Sequence, residues 1–140
     1  MAERPTSAFM ASLAGGALTL IVESIMIQSW SEMYSTNGTN FGYSQWFVVA
    51  SINLSAEGGL TLLIVGLACG LAIIVGGVMQ YSGARSKVKV GSILVLLATV
   101  IGIPATSFGW LIGGILSTLG AYMGLGWKPE AELQAAKPGA

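Results

Sequence analysis

The stretch Tyr81–Lys89, YSGARSKVK, lies between two long apolar runs, Gly58–Gln80 and Val90–Pro104. It carries three of the six lysines and arginines in the chain: Arg85, Lys87 and Lys89. Positive charge next to membrane spans is retained on the cytoplasmic side. We therefore interpret the stretch as a cytoplasmic turn that joins two transmembrane helices, and the orientation of the rest of the chain follows from it.

The composition is that of a protein surrounded by lipid. Only 9% of the 140 residues are charged, 54% are hydrophobic, and the mean hydropathy is +0.76. A soluble domain has about a quarter of its residues charged, so this chain has too few charges to cover a surface in water. The formal net charge is zero, which argues against a nucleic-acid partner.

The residue types that carry most catalytic chemistry are scarce. The chain has no histidine and no aspartate, which excludes Ser-His-Asp triads, Cys-His pairs and histidine metal sites. The one cysteine, Cys69, lies inside an apolar run, so the chain forms no internal disulfide. We expect no enzymatic activity, no cofactor and no metal site.

Four apolar runs predict an all-α membrane protein, a four-helix transmembrane bundle with one larger extracellular loop, since a span needs roughly 20 apolar residues. With four crossings, both termini lie in the cytoplasm and all the lysines and arginines lie on that side of the plasma or cell membrane. The predicted segments are a cytoplasmic N-terminus (1–6), a first span (7–28), an extracellular loop (29–57), a second span (58–80), a cytoplasmic turn (81–89), a third span (90–104), an outer turn (105–107), a fourth span (108–127) and a cytoplasmic tail (128–140).

The long connection after the first span carries two candidate glycosylation sites. The triplets NGT at Asn37 and NLS at Asn53 match the acceptor pattern. Asn37 is the better candidate because Asn53 lies close to the second span. The segment Phe41–Ile52 is apolar and aromatic but too short to cross a bilayer, and it is consistent with a strand, an interfacial helix or a lid over the helix ends.

Small residues four apart predict where the helices pack. Helices in a bilayer associate by close packing and hydrogen bonds, and small residues let their backbones approach. Packing within the chain is the ordinary interpretation, and contact of one row with another subunit is the alternative, because the fourth span carries two rows. The candidate packing residues are Gly66 and Gly70 in the second span and Gly109, Gly113, Ser117, Gly120 and Gly124 in the fourth.

Glu23 is a carboxylate inside an apolar run, and an intramembrane carboxylate is a candidate functional residue. If the first span ends at Gln28, this group lies about 7–8 Å from the outer end at 1.5 Å per residue. The outer connections contain no lysine or arginine to pair with it. We expect it to be protonated, hydrogen-bonded (candidates are Thr19, Thr106 and Ser107) or open to a water-filled pocket. Its role is then structural, proton or ion handling, or contact with a partner's cation.

Three resemblances to known families bear on the fold. Gly109–Pro129, GWLIGGILSTLGAYMGLGWKP, resembles the last helix of small uncharacterised four-span membrane proteins of archaea and bacteria, which implies a four-helix membrane protein and no activity. Ala14–Ile25, AGGALTLIVESI, is similar to the first helix of small multidrug resistance transporters, whose glutamate binds protons and cationic substrates in turn. That resemblance implies that Glu23 is a coupling carboxylate. A long first outer loop followed by a short second one is also similar to claudin-like proteins.

The sequence thus predicts a non-enzymatic integral membrane protein, a small accessory or structural subunit of a larger membrane complex. One alternative is a proton-coupled small transporter that uses Glu23 and works as an oligomer. Another is a cell-surface adhesion or barrier protein that acts through the 29–57 loop. The expected partners are membrane lipids and either other integral membrane subunits or further copies of the chain.

Overall fold

The structure is a computed structural model that describes residues 4–38, 42–46, 51–103 and 108–136. The predicted helical fold is confirmed, with a small two-stranded sheet between the first two helices. In chain order the elements are α1 (Thr6–Asn37), β1 (Gly42–Trp46), β2 (Ser51–Ser55), α2 (Ala56–Gln80), α3 (Arg85–Gly102), α4 (Phe108–Gly126) and α5 (Glu130–Ala135).

Among the described residues, two helices, α1 and α2, are long and apolar enough to cross a membrane, and α4 contains a shorter apolar stretch, Leu111–Gly126. This result rests on the length and the amino-acid composition of each helix alone. The same test is passed by buried helices of soluble proteins and, near an N-terminus, by signal sequences.

The four long helices form a ring in chain order, in which α1 and α3 each pack against both α2 and α4. Neighbouring helices run antiparallel. Ser12, near the start of α1, bonds Gln80 at the end of α2, and a Cβ atom on Gly76 of α2 would lie 2.7 Å from the carbonyl oxygen of Gly91 in α3. A Cβ atom on Gly120, near the end of α4, would likewise collide with Ser12, near the start of α1. The result is an up-and-down four-helix bundle.

The described part of the bundle has an apolar exterior and an interior in which polar side chains lie among apolar ones. Large aliphatic side chains on each long helix are more than half exposed, among them Ile21, Ile64, Leu97 and Ile112. The buried polar or charged side chains are Ser12, Thr19, Glu23, Gln80, Ser92, Thr99 and Ser117.

Helix α1 ends at Asn37, well beyond the predicted end at Gln28. The residues between them include no glycine or proline, so nothing interrupts the backbone hydrogen bonding. Gly38 ends the helix with a φ of 60°, a backbone conformation that glycine adopts without steric cost. The first nine residues of the predicted extracellular loop are therefore helical.

Helix α3 begins at Arg85, not at Val90 as predicted. The three basic residues of the predicted turn therefore lie in the first turns of α3. Lysine and arginine are good helix formers, and their long stems carry the charge away from apolar surroundings. The predicted cytoplasmic tail contains the short helix α5. Glu132 Oε2 of this helix forms an ion pair with Arg85 Nη1 of α3.

The connection between α1 and α2 contains an antiparallel hairpin, in which Gly42 pairs with Ser55 and Trp46 with Ser51. A strand was one of the three interpretations of this segment. Strand β2 leads directly into α2, and the Ser55 hydroxyl oxygen accepts the Gly58 N–H at 3.2 Å, as an N-cap residue does. The predicted outer turn, 105–107, lies outside the described residues.

Candidate functional site: a buried carboxyl group between two helices

Glu23 lies near the middle of α1. It precedes Asn37 by fourteen residues, which is about 21 Å at 1.5 Å per residue. The predicted depth of 7–8 Å from the helix end is therefore wrong, because it assumed that the helix stops at Gln28. The residue opposite it, Gly66, is likewise in the interior of α2.

The Glu23 carboxyl group packs directly against the backbone of α2. A Cβ atom on Gly66 would lie 2.6 Å from Glu23 Cδ, 2.7 Å from Oε2 and 2.9 Å from Oε1. Real side chains do not tolerate such distances. The glycine at position 66 therefore makes the space that the carboxyl group occupies, and the two predicted candidates form a single site.

Within the described ranges of the chain, this carboxyl group is enclosed and has no polar partner. Glu23 is 0% exposed, and neither carboxyl oxygen has a hydrogen-bond partner among the described residues. Thr19, one turn earlier, was a predicted partner, but its hydroxyl donates to the Gly15 carbonyl at 2.9 Å. The other two predicted partners, Thr106 and Ser107, lie outside the described residues.

No basic residue lies in the parts of α1, α2 and α4 that surround Glu23. The cations of α3 lie in its first turns, at the end of the bundle where Ser12 meets Gln80. A buried carboxylate without a counter-charge costs several kcal/mol. These surroundings favour the neutral form of the carboxyl group over the charged one.

A second buried polar group lies at the opposite end of the bundle, and the sequence analysis missed it. Gln80 is fully buried. Its Oε1 accepts the Ser12 hydroxyl at 2.9 Å, and its Nε2 donates to Ser92 Oγ at 3.0 Å and to the Gly120 carbonyl at 3.3 Å. We call these four residues the glutamine layer. It joins all four long helices, and its polar groups are paired, whereas those of Glu23 are not.

The predicted packing residues face other helices of the same chain. Cβ atoms on Gly70 and Gly113 would collide with α1, as would one on Gly120, and one on Gly124 would collide with Ser92 of α3. Ser117 is buried and donates to the Gly113 carbonyl, and Gly109 lies in the first turn of α4. These contacts occupy both rows of α4 from Gly113 onward, which leaves those positions no surface for a second subunit.

The remaining candidates lie at the two ends of the bundle. Asn37 is exposed and is the last residue of α1, and Asn53 lies in β2, paired with Ser44. Lys87 and Lys89 are exposed at the other end. Within the described part of the chain, no group of three or more histidine, cysteine, aspartate or glutamate side chains is placed to hold a metal ion.

No protein-family model matches the chain, and neither a curated protein nor a solved structure matches it. What the protein does is therefore argued from its own residues.

Proposed function

We propose that the protein is a non-enzymatic integral membrane protein whose four long helices each cross the bilayer. The observation that carries this proposal is the distribution of side chains, with polar groups buried between helices and large aliphatic groups exposed around the outside. A contiguous apolar surface of this kind is rare on soluble monomers, which seldom expose more than a few hundred Å². Lipid tails are as apolar as leucine and suit such a surface.

The charges support one orientation of the bundle. Arg4, Lys87, Lys89 and Lys128 are exposed at the end where α1 begins and α4 finishes. The opposite end, with the hairpin and Glu57, carries no lysine or arginine in the sequence. Retention of positive charge in the cytoplasm places the basic end inside the cell, together with both termini.

The interior of the bundle favours an accessory or structural role over that of a conduit. Side chains from the long helices fill it, including Leu63, Ile73, Val88 and Val95, each at most 2% exposed. Close glycine contacts bring neighbouring backbones together at several levels. This packing among the described residues supports a role without transport, so we propose that the chain acts as a small subunit bound to other integral membrane proteins.

We assign the partner contact to a shallow apolar groove on the outward face of α4. It is lined by Gly114, Ile115, Thr118 and Leu119. Thr118 is small and exposed, which lets the backbone of another helix approach closely. Gly114 is buried and forms the floor of the groove, whereas Ile115 and Leu119 are about half exposed at its sides.

The test is co-purification in a mild detergent. We expect other membrane polypeptides to accompany the tagged chain in a constant ratio, and Thr118→Trp to remove them by filling the groove. The control is Ile93→Trp, which places the same side chain at an exposed position of α3 and should retain them. Recovery of the unsubstituted chain alone, or only with copies of itself, would contradict the accessory role.

A further inference from the structure

We propose that Glu23 is a reversible proton-binding site, and that loss of its proton separates α1 from α2 at Gly66. The proposal rests on the buried carboxyl group and its surroundings. It does not depend on the accessory role, because a proton site can regulate a subunit, a transporter or a protein that works alone.

In the parts of the chain that the structure describes, the groups that face Glu23 offer nothing to stabilise a negative charge. On α1 the neighbouring Thr19 hydroxyl is bonded to its own helix. On α2 the titratable group is Cys69, which is 7% exposed and lies one turn from Gly66. On α4 the titratable group is Tyr122, which is 77% exposed and lies toward the basic end of the bundle. The charged groups of α3 lie at that same end.

The space around the carboxyl group suits a proton better than a metal ion. A hard cation needs several oxygen ligands at more than 2 Å from its centre, and a buried water needs two to four polar partners. Here the carboxyl group occupies the space that a Cβ atom on Gly66 would fill and has no polar partner among the described residues. The packed state therefore holds Glu23 with its proton, as an uncharged acid.

Ionisation should open the bundle from one side. A carboxylate at this position must gain water, and the carboxyl group and Gly66 are packed too closely to admit any unless the helices part. On the basic side, the glutamine layer holds α1 to α2 through the bond between Ser12 and Gln80. On the other side, Trp30 Nε1 donates to the Ala56 carbonyl at 2.8 Å. Since the glutamine layer also ties α2 to α3 and α4, we expect separation on the Trp30 side and proton exchange with that side of the membrane.

Cys69 provides a native reporter for this opening, because it is buried one turn from Gly66 and is the only cysteine of the chain. The full-length protein in zwitterionic lipid vesicles would be treated with N-ethylmaleimide over a range of pH. The rate of labelling would be compared with that of Glu23→Gln, which mimics the neutral acid. Both proteins carry the same thiol, and a negative charge on Glu23 would disfavour the reactive thiolate of Cys69 in the unsubstituted protein. Faster labelling of the unsubstituted protein at high pH would therefore report access to the thiol and not a more reactive thiol.

We expect the two rates to be equal at low pH and the unsubstituted protein to be labelled at least several-fold faster at high pH. The control is Glu32→Gln, a change at an exposed carboxylate of the same helix, which should behave as the unsubstituted protein does. A ratio to Glu23→Gln that stays near one at every pH would overturn the coupling between ionisation and helix separation.

Infrared spectroscopy detects the proton on Glu23 directly. It can be read from the unsubstituted protein even if Glu23→Gln alters the packing. A carbonyl band of a protonated carboxylic acid should be present at low pH, disappear as the pH rises, and be absent from Glu23→Gln. A band that persists over the whole range would show a proton that is not released. A band absent at every pH would show a carboxylate already paired with a cation, and either result would overturn the proposal.

Discussion

Glu23 and Gly66 depend on each other, because the space for one exists only where the other lacks a side chain. Each residue was a separate candidate in the sequence, one as an intramembrane carboxylate and one as a packing glycine. Spacing within a helix shows which residues share a face, but it does not show which residues of two helices come opposite each other. The site itself could therefore not be predicted, although both of its members were.

The substitution Gly66→Ala should reduce the free energy of unfolding by about 1–3 kcal/mol, because the added methyl group overlaps the Glu23 carboxyl group. Combining it with Glu23→Ala removes that overlap, so the double variant should be less destabilised than the sum of the two single changes. Equilibrium unfolding in mixed detergent micelles measures these values.

The matched control for that series is Gly126→Ala, since a Cβ atom there would meet nothing within 4 Å. We expect its effect to stay within about 0.5 kcal/mol, as for most surface changes. If Gly66→Ala proved as mild as this control, the close contact between Glu23 and α2 would be refuted.

Gln80 shows why a second buried polar residue escaped notice. It ends an apolar run and precedes the polar stretch that begins at Tyr81, so the sequence places it at a helix end, where polar groups are ordinary. Its burial arises from the position of Gly120 and Gly124 on α4, which leave space for its amide group and for Ser92. A sequence signal for this layer does exist. Ser12, Gln80 and Ser92 are polar residues in or at the end of three apolar segments that also contain glycine.

At the level of helices and strands, the sequence predicted α2 and α4 to within two residues at each end. Both are uninterrupted apolar segments with clear limits. Helices α1 and α3 extend beyond their predicted bounds because their additional residues are polar, and hydropathy does not distinguish a polar helical turn from a loop. The stop at Gly38 and the start at Arg85 follow from backbone preferences.

The short helix α5 is joined to the start of α3 by the ion pair between Arg85 and Glu132, whose side chains are 35% and 43% exposed. Pairs in such positions contribute about 0.2–1 kcal/mol and weaken in salt. We therefore expect Arg85→Gln and Glu132→Gln each to lower stability by less than about 1 kcal/mol.

A double-mutant cycle at low and at high salt measures this interaction. The coupling energy should be small at low salt and should fall further when salt is added. A coupling energy of several kcal/mol that did not respond to salt would contradict the assignment of α5 as a loosely held surface helix.

For the whole molecule, the antiparallel ring of long helices is held by close contacts between small residues, and it agrees with the predicted order of helices. Buried polar groups and an aliphatic exterior together favour lipid as the surrounding medium. The bundle then has a basic end, held by the glutamine layer, and an opposite end where the hairpin contacts α2 and Trp30 donates to the Ala56 carbonyl. We propose that the basic end faces the cytoplasm. The side of the membrane with which Glu23 exchanges its proton depends on that orientation.

The most direct test of the four crossings is to label single cysteines in intact cells, with Cys69→Ala as the background. Ser35→Cys lies in the last turns of α1 and Ser82→Cys between α2 and α3, and both positions are exposed. A membrane-impermeant maleimide should label Ser35→Cys directly, and Ser82→Cys only after the membrane is permeabilised. Labelling of Ser82→Cys in intact cells, or protection of Ser35→Cys, would contradict the proposed crossing of the bilayer and its orientation.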